Sequence, residues 1–146
     1  MKIRRTLPLL LVAILLCTAF AACAARKSLS PEEFYDTVTA AGYALEDTSG
    51  MVEGLATGWN AATDNANVAY FTFTGAVYAQ TNYAQLLASA PAGGTEKSRV
   101  DGGDYNRYLT VTDADLYFLW RNGSTLVVIM GSDIPAMESL IDGLGI

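Results

Sequence analysis

Carboxylates are the main side chains in this sequence that could carry out chemistry. The 146 residues include no histidine, which excludes Ser–His–Asp and Cys–His catalysis and imidazole metal ligands. Two local pairs of aspartates stand out, Asp101 with Asp104 and Asp113 with Asp115. Paired carboxylates can hydrolyse glycosides when a cleft holds them about 5–9 Å apart. A histidine-free hydrolase that uses paired carboxylates is therefore one hypothesis for this chain.

The surroundings of these aspartates favour a structural role. Both pairs lie in or beside expected turns, where Asp is common because its side chain hydrogen-bonds to nearby backbone. The runs 64–67 (DNAN) and 101–104 (DGGD) offer oxygen ligands for Ca²⁺, but neither completes a calcium-binding loop. Lys97 neighbours the hydroxyls of Thr95 and Ser98 within a charged stretch, which indicates a solvated side chain. We therefore predict no catalytic residue, no metal site and no cofactor, and an enzyme is the less favoured class.

The first 22 residues have the pattern of a secretory signal peptide. Three basic residues, Lys2, Arg4 and Arg5, precede an apolar run over residues 7–16, and small residues follow. The apolar run is too short for a transmembrane helix. The pattern predicts a signal peptide over residues 1–22 and an extracytoplasmic location for the rest of the chain.

A cysteine follows this signal peptide in a context that resembles a lipid-attachment site. Residues 20–23 (FAAC) resemble a bacterial lipobox, in which Cys23 receives the lipid that anchors the protein to the membrane. The alternative is ordinary cleavage at the small residues around Cys23, which would leave no anchor. Residues 23–29 are then the lipid-anchor cysteine and a tether, in which Arg26 and Lys27 could touch anionic head groups. With one cysteine left after cleavage, we expect no internal disulfide.

The charge of the remaining chain is acidic. Residues 23–146 carry six basic and fifteen acidic side chains, a formal charge of −9. Such a surface repels phosphate backbones, so we predict no nucleic-acid partner.

Residues 30–146 are predicted to form a single α+β domain. Ser30 to Glu33 form a capping box with Pro31 at the first helical position. The hydrophobic periodicity predicts the order α-βββ-α-βββ-α, a mostly antiparallel sheet with three helices on one face. Residues 91–104, rich in glycine, proline and charge, are predicted to be a mobile loop. The predicted helices are 31–41, 74–89 and 133–144, and the strands are 43–47, 55–62, 68–74, 105–112, 115–121 and 124–130.

The strongest local pattern is a hairpin over residues 115–130. Asn122-Gly123 predicts a two-residue type I′ turn, which would place Phe118 opposite Val127. Both faces of the hairpin are apolar. One face carries Leu116, Phe118, Trp120, Val127 and Ile129. The other carries Tyr117, Leu119, Leu126, Val128 and Met130.

The second face of this hairpin is the predicted binding face. If three helices cover only one side of the sheet, Tyr117, Leu119, Leu126, Val128 and Met130 stay exposed. An exposed apolar strip favours association. The sequence therefore favours a binding or interaction module, with a protein, peptide or glycan as its partner, over the carboxylate hydrolase.

Several short motifs resemble a known group of proteins. The lipobox-like Cys23 is followed by residues 30–34 (SPEEF), residues 42–47 (GYALED) and a closing Leu144-Gly145. The chain is similar in these motifs to small bacterial cell-surface lipoproteins of unknown function. The resemblance implies a membrane-anchored lipoprotein and no particular chemistry.

Overall fold

The computed structural model of this chain describes residues 26–146. These residues form one seven-stranded antiparallel sheet and three helices, which confirms the α+β class and the mostly antiparallel sheet. The observed order is α-βββ-α-ββββ-α, with one strand more than predicted. The helices are α1 (Pro31–Ala40), α2 (Ala76–Ala88) and α3 (Ile134–Leu144). The strands are β1 (Glu46–Asp47), β2 (Leu55–Ala62), β3 (Ala66–Phe73), β4 (Thr95–Asp101), β5 (Tyr105–Val111), β6 (Leu116–Asn122) and β7 (Thr125–Gly131).

Capping residues set the ends of α1 and α3. The Ser30 hydroxyl accepts a hydrogen bond from the Glu33 backbone N–H at 3.1 Å, and Pro31 opens the helix as predicted. The Asp133 carboxylate caps α3 by accepting from the Ala136 N–H at 3.1 Å. Gly145 ends α3 in the left-handed region, with φ at 68°.

The sheet has the strand order β1-β2-β3-β7-β6-β5-β4. The two halves of the chain meet where β3 pairs with β7 along its whole length. At one edge lies the two-residue strand β1, and at the other lies β4. Short and charged edge strands discourage pairing with another chain.

Strand β4 corrects the prediction of a mobile loop over residues 91–104. Seven of these residues form β4, six of them pair with β5, and a bulge lies at Lys97. The charges that suggested a loop belong to a solvated edge strand, in which Arg99 pairs with Asp101 at 2.7 Å. Only the turns on either side of the strand remain as loop.

The β6–β7 hairpin exists, but its turn is displaced by one residue from the prediction. Asn122 pairs with Thr125, so the two turn residues are Gly123 and Ser124. Gly123 has φ at 57° while its neighbours keep negative φ. This places glycine at the first central position, as in a type II′ turn, and the type I′ turn is wrong.

The register changes with the turn, but the faces do not. Phe118 lies opposite Ile129, two positions from the expected Val127. Since side chains alternate with a period of two, a two-residue shift leaves each one on its predicted face.

Helices cover both faces of the sheet, which corrects the one-face arrangement. Helices α1 and α3 pack on the first face, through buried side chains such as Phe34, Val38 and Leu140. Helix α2 crosses to the second face and buries Ala79 and Tyr83 there. The sheet therefore lies between a two-helix layer and a single helix.

The last part of the predicted tether packs on the domain. Leu29 is buried in the core of the first face, and its carbonyl accepts a hydrogen bond from the Tyr70 hydroxyl at 3.0 Å. Lys27 pairs with Glu33 at 2.7 Å. Part of the predicted tether, at Lys27 and Leu29, is therefore attached to the domain.

Candidate functional site

A groove runs beside α2 because a single helix is too narrow to cover the second face of the sheet. The groove has a volume of about 400 Å³ and lies between α2 and strands β2, β3 and β7. Apolar side chains form most of its lining. They are Val52, Leu55, Phe71, Phe73, Leu86 and Leu126.

One flank of α2 adds polar groups to this groove. Asn82, Gln85 and Ser89 line it and follow helical spacing, so they lie along one side of α2. Gln85 and Ser89 are exposed and Asn82 is half-buried. An apolar floor beside amide side chains suits a ligand that has an apolar side chain and a polar main chain.

The predicted binding face is not exposed, which corrects the prediction. Tyr117, Leu119, Leu126 and Val128 are buried beneath α2, and Met130 is partly buried beside them. The reason is the position of α2 on the second face, since α2 contacts β6, β3 and β7. Of the five residues, only Leu126 also lines the groove.

Tyr83 and Tyr117 lie on the inner side of α2 and have different environments. The Tyr117 hydroxyl donates to the Leu86 carbonyl at 2.8 Å, whereas the buried Tyr83 hydroxyl has no hydrogen-bond partner among the described residues. Burial and the nearby Asp101 raise the pKa of Tyr83 to about 12. Burial also raises the pKa of Tyr117. Both phenols stay neutral at physiological pH, so neither is poised as a base.

Arg121 is a buried cation whose contacts are structural. Its guanidinium donates to the Asn106 side chain at 2.8 Å and to the carbonyls of Gly103 and Gly123 at 2.6 and 3.0 Å. Burial lowers the pKa of Arg121 from its usual value. The side chain joins the β4–β5 turn to the β6–β7 turn, and its donors point at backbone rather than into a cleft.

The paired aspartates lie at the surface of the domain. Asp101, Asp104, Asp113 and Asp115 all have exposed side chains. A carboxylic acid in catalysis needs an environment that shifts its pKa, as burial does. Asp101 is instead held by Arg99 at 2.7 Å.

Another cavity lies at the end of the sheet where β2 ends and β6 begins. It has a volume of about 630 Å³, and Asp64 and Asp115 both line it. Both carboxylates are exposed, and the rest of the lining mixes polar residues such as Asn67 with apolar ones such as Leu116 and Met130. Within residues 26–146, no group of three or more carboxylate or thiol side chains could hold a metal ion.

An aromatic pair lines a smaller pocket on the helix-α1 side. The rings of Tyr35 and Trp59 meet edge to face at 5.2 Å between centroids, next to Glu32 and Asp36. The pocket is shallow, with about 290 Å³, because it lies on the outside of α1.

The groove residues were missed by sequence reasoning for a specific reason. Phe71 and Phe73 lie in the predicted strand 68–74, and all three helices were expected on one face of the sheet. Only the side on which α2 packs decides that Phe71 stays partly exposed. The available signal was the polar stripe at 82, 85 and 89, which has helical spacing beside an apolar stripe.

The lipid anchor lies outside the described residues. Cys23 and the residues 1–22 of the expected signal peptide precede Arg26, where the description begins. Within residues 26–146, no helix has the length and hydrophobicity needed to cross a membrane.

Comparison with known proteins adds little. No protein-family model matches the chain, and no curated protein matches it. Among solved structures, the chain is similar to a GTP-binding regulator from Thermotoga maritima. The two share 15% sequence identity and a TM-score of 0.46, over 76% of this chain and 83% of the other. This similarity assigns no ligand or activity to the chain.

Proposed function

We propose that this protein is a lipid-anchored extracytoplasmic binding module that holds an apolar segment of a partner peptide in the groove beside α2. The observation that carries the proposal is the groove itself. It is an apolar channel of about 400 Å³ with an amide-bearing flank, on the one face of the sheet that a single helix covers. Lipid on Cys23 would attach the module to the membrane.

The chemistry of the groove favours a peptide. An aromatic and aliphatic floor, formed by residues such as Phe71 and Leu55, receives an apolar side chain. Asn82 and Gln85 can both donate to and accept from a peptide main chain. A nucleic-acid partner fits poorly with the formal charge of −9 over residues 23–146.

The first test concerns the groove and uses peptides selected from a random display library against the full protein. Selected peptides should share an apolar residue, and Phe71→Ser should weaken their binding about tenfold or more, since burying a large apolar side chain contributes about 1.5–3 kcal/mol. Gln85→Arg should also weaken binding, and Gln80→Arg is its control, which should not. Both glutamines are exposed on α2, and only Gln85 lines the groove. Peptides that bind all three variants equally would show that the groove is not the site.

The second test concerns the anchor and uses mass spectrometry of protein extracted from membranes. We expect an N-terminal Cys23 that carries lipid. A soluble product that begins after Cys23 would contradict the anchor without affecting the groove.

A further inference from the structure

The chain enters the domain at one defined end of the sheet. The Arg26 guanidinium lies over the Tyr105 ring, 4.4 Å from its centroid. The Lys27 carbonyl accepts a hydrogen bond from the Asn122 side chain at 2.9 Å. Both partners lie next to turns, at the start of β5 and the end of β6. We call this the anchor end of the sheet.

The loop before β2 and the first turn of α2 lie at the same end. Leu55 at the start of β2 pairs with Phe73 at the end of β3, and the Phe73 N–H donates to the Ser124 carbonyl at 2.9 Å in the β6–β7 turn. The Thr74 N–H then donates to the Gly54 carbonyl at 2.8 Å, which holds the loop against the start of α2. The loop and the first turn of α2 therefore share the anchor end with the turns that follow β4 and β6.

The anchor end also carries the most exposed large apolar side chains of the described chain. Met51 is 76% exposed and Val77 is 72% exposed, with Val52 and Tyr78 beside them in sequence at 53% and 40%. The Tyr78 ring lies directly over Gly54, where a Cβ atom would come within 2.8 Å of it. Contiguous exposed apolar side chains usually mark a surface that meets another apolar phase.

From these two observations we propose that the anchor end is the membrane-contacting surface of this protein, with Met51, Val77 and Tyr78 inserted into the bilayer interface. The inference rests on the proposed lipid on Cys23. If cleavage makes the lipidated Cys23 the first residue, only Cys23, Ala24 and Ala25 precede Arg26. These three residues span about 10 Å when fully extended. A lipid on Cys23 therefore holds this end, and no other end of the sheet, near the head groups.

The charges of this end indicate which lipids it contacts. Glu53, Asp101 and Asp104 are exposed there beside the cations Arg26, Lys27 and Arg99, and Arg99 pairs with Asp101 at 2.7 Å. Charges of both signs are therefore mixed at this end, and they supply little net attraction to anionic head groups. The apolar side chains therefore carry the contact, and zwitterionic phosphatidylcholine suffices as the lipid surface.

The experiment places an environment-sensitive fluorophore at each end of the lipidated protein. The full chain is produced in bacteria, its lipid on Cys23 is verified by mass spectrometry, and it is reconstituted into phosphatidylcholine vesicles. Val77→Cys and Met51→Cys place the fluorophore at the anchor end, and Asp113→Cys places it in the exposed turn at the opposite end. We expect blue-shifted emission and quenching by a nitroxide in the lipid head-group region for positions 51 and 77, and neither effect for position 113.

A second set of variants separates insertion from simple proximity. With the fluorophore at position 77, Met51→Asp should remove most of the blue shift. Tyr35→Ser, which alters an exposed aromatic on α1, should leave it unchanged. The proposal would be overturned if the label at position 77 of the lipidated protein showed the emission of a dye in water. Equal quenching at positions 77 and 113 would overturn it as well. Absence of lipid on Cys23 would instead overturn the anchor on which it rests.

Discussion

At the scale of single residues, two tyrosines that lie between α2 and the sheet differ in their hydrogen bonding. The buried hydroxyl of one has a partner, and that of the other has none among the described residues. Tyr117 donates to the Leu86 carbonyl, and Tyr83 has no partner among the described residues. Both are buried against the same sheet face. A buried hydroxyl without a hydrogen bond costs free energy, whereas a paired one contributes a modest net gain.

The two phenylalanine substitutions should therefore differ in their effect on stability. Tyr117→Phe should lower the free energy of unfolding by about 1 kcal/mol, because it removes the hydrogen bond to the Leu86 carbonyl, which keeps the Ser89 N–H as a donor. Tyr83→Phe should leave it unchanged or raise it, because it removes a hydroxyl that has no partner. Urea unfolding of both variants measures the difference. Equal losses would mean that the Tyr83 hydroxyl has a partner, such as water.

Tyr83 should also make the fold sensitive to alkaline pH. The pKa of Tyr83 is about 12 in the fold and about 10 in an unfolded chain, so between these values the unfolded state binds fewer protons. Stability is then unaffected below pH 10 and falls by up to about 1.4 kcal/mol per pH unit as pH rises toward 12. In Tyr83→Phe this part of the loss should disappear, as unfolding midpoints measured from pH 8 to 11.5 would show. An identical pH profile for the two proteins would contradict the assignment.

Arg121 should be more important for stability than Arg107 on β5. Arg121→Met leaves the Asn106 side chain and two turn carbonyls without their donor, and we expect a loss of about 1–3 kcal/mol. The control is Arg107→Met, since Arg107 is half-buried and its guanidinium lies 5.2 Å from the Phe118 ring centroid. A urea midpoint that moves as much for Arg107→Met as for Arg121→Met would show that the buried bonds add nothing.

At the scale of elements, the sequence predicts helices and buried strands well, and it predicts edges and turns less well. The cap at Ser30 appears where the capping box predicts it because a cap is a local interaction. Strand β4 was missed because its alternating charges resemble a loop until β5 is available to pair with it. The β6–β7 turn was displaced by one residue because Asn122-Gly123 and Gly123-Ser124 both fit two-residue turns, and local sequence does not choose between them.

The β6–β7 turn should be sensitive to loss of its glycine. Gly123 adopts φ of 57°, and nothing lies within 4 Å of where its Cβ would be. A substitution there is therefore strained without being crowded, and Gly123→Val should cost about 1–3 kcal/mol. Gly103→Val is the matched control, because Gly103 also has open space around it and does not have positive φ. Thermal unfolding of both variants measures the cost, and equal midpoints would show that φ at Gly123 is not limiting.

At the scale of the whole molecule, the face chosen by α2 decides where a site can form. The apolar stripes of the three helices and the two apolar faces of the β6–β7 hairpin are all visible in the sequence. Their pairing is not, because α2 could pack on either face with the same stripe. By packing on the second face, α2 buries Tyr117 and Leu119 and leaves the groove beside Phe71. Of the predicted binding face, Leu126 alone lines this groove, and the other four residues lie beneath α2 or beside it.

Residues 26–29, which connect Cys23 to the domain, should contribute to its stability. How firmly they are attached decides how firmly a lipid on Cys23 would orient the molecule. Leu29 is only 4% exposed and lies in the core of the first face. Leu29→Ala should therefore lower the free energy of unfolding by about 2–4 kcal/mol, as truncation of a buried leucine usually does. Met51→Ala, at an exposed apolar residue of the anchor end, should change it by less than about 0.5 kcal/mol. If urea unfolding shows no loss for Leu29→Ala, residues 26–29 do not hold the domain, and an anchor on Cys23 would leave its orientation free.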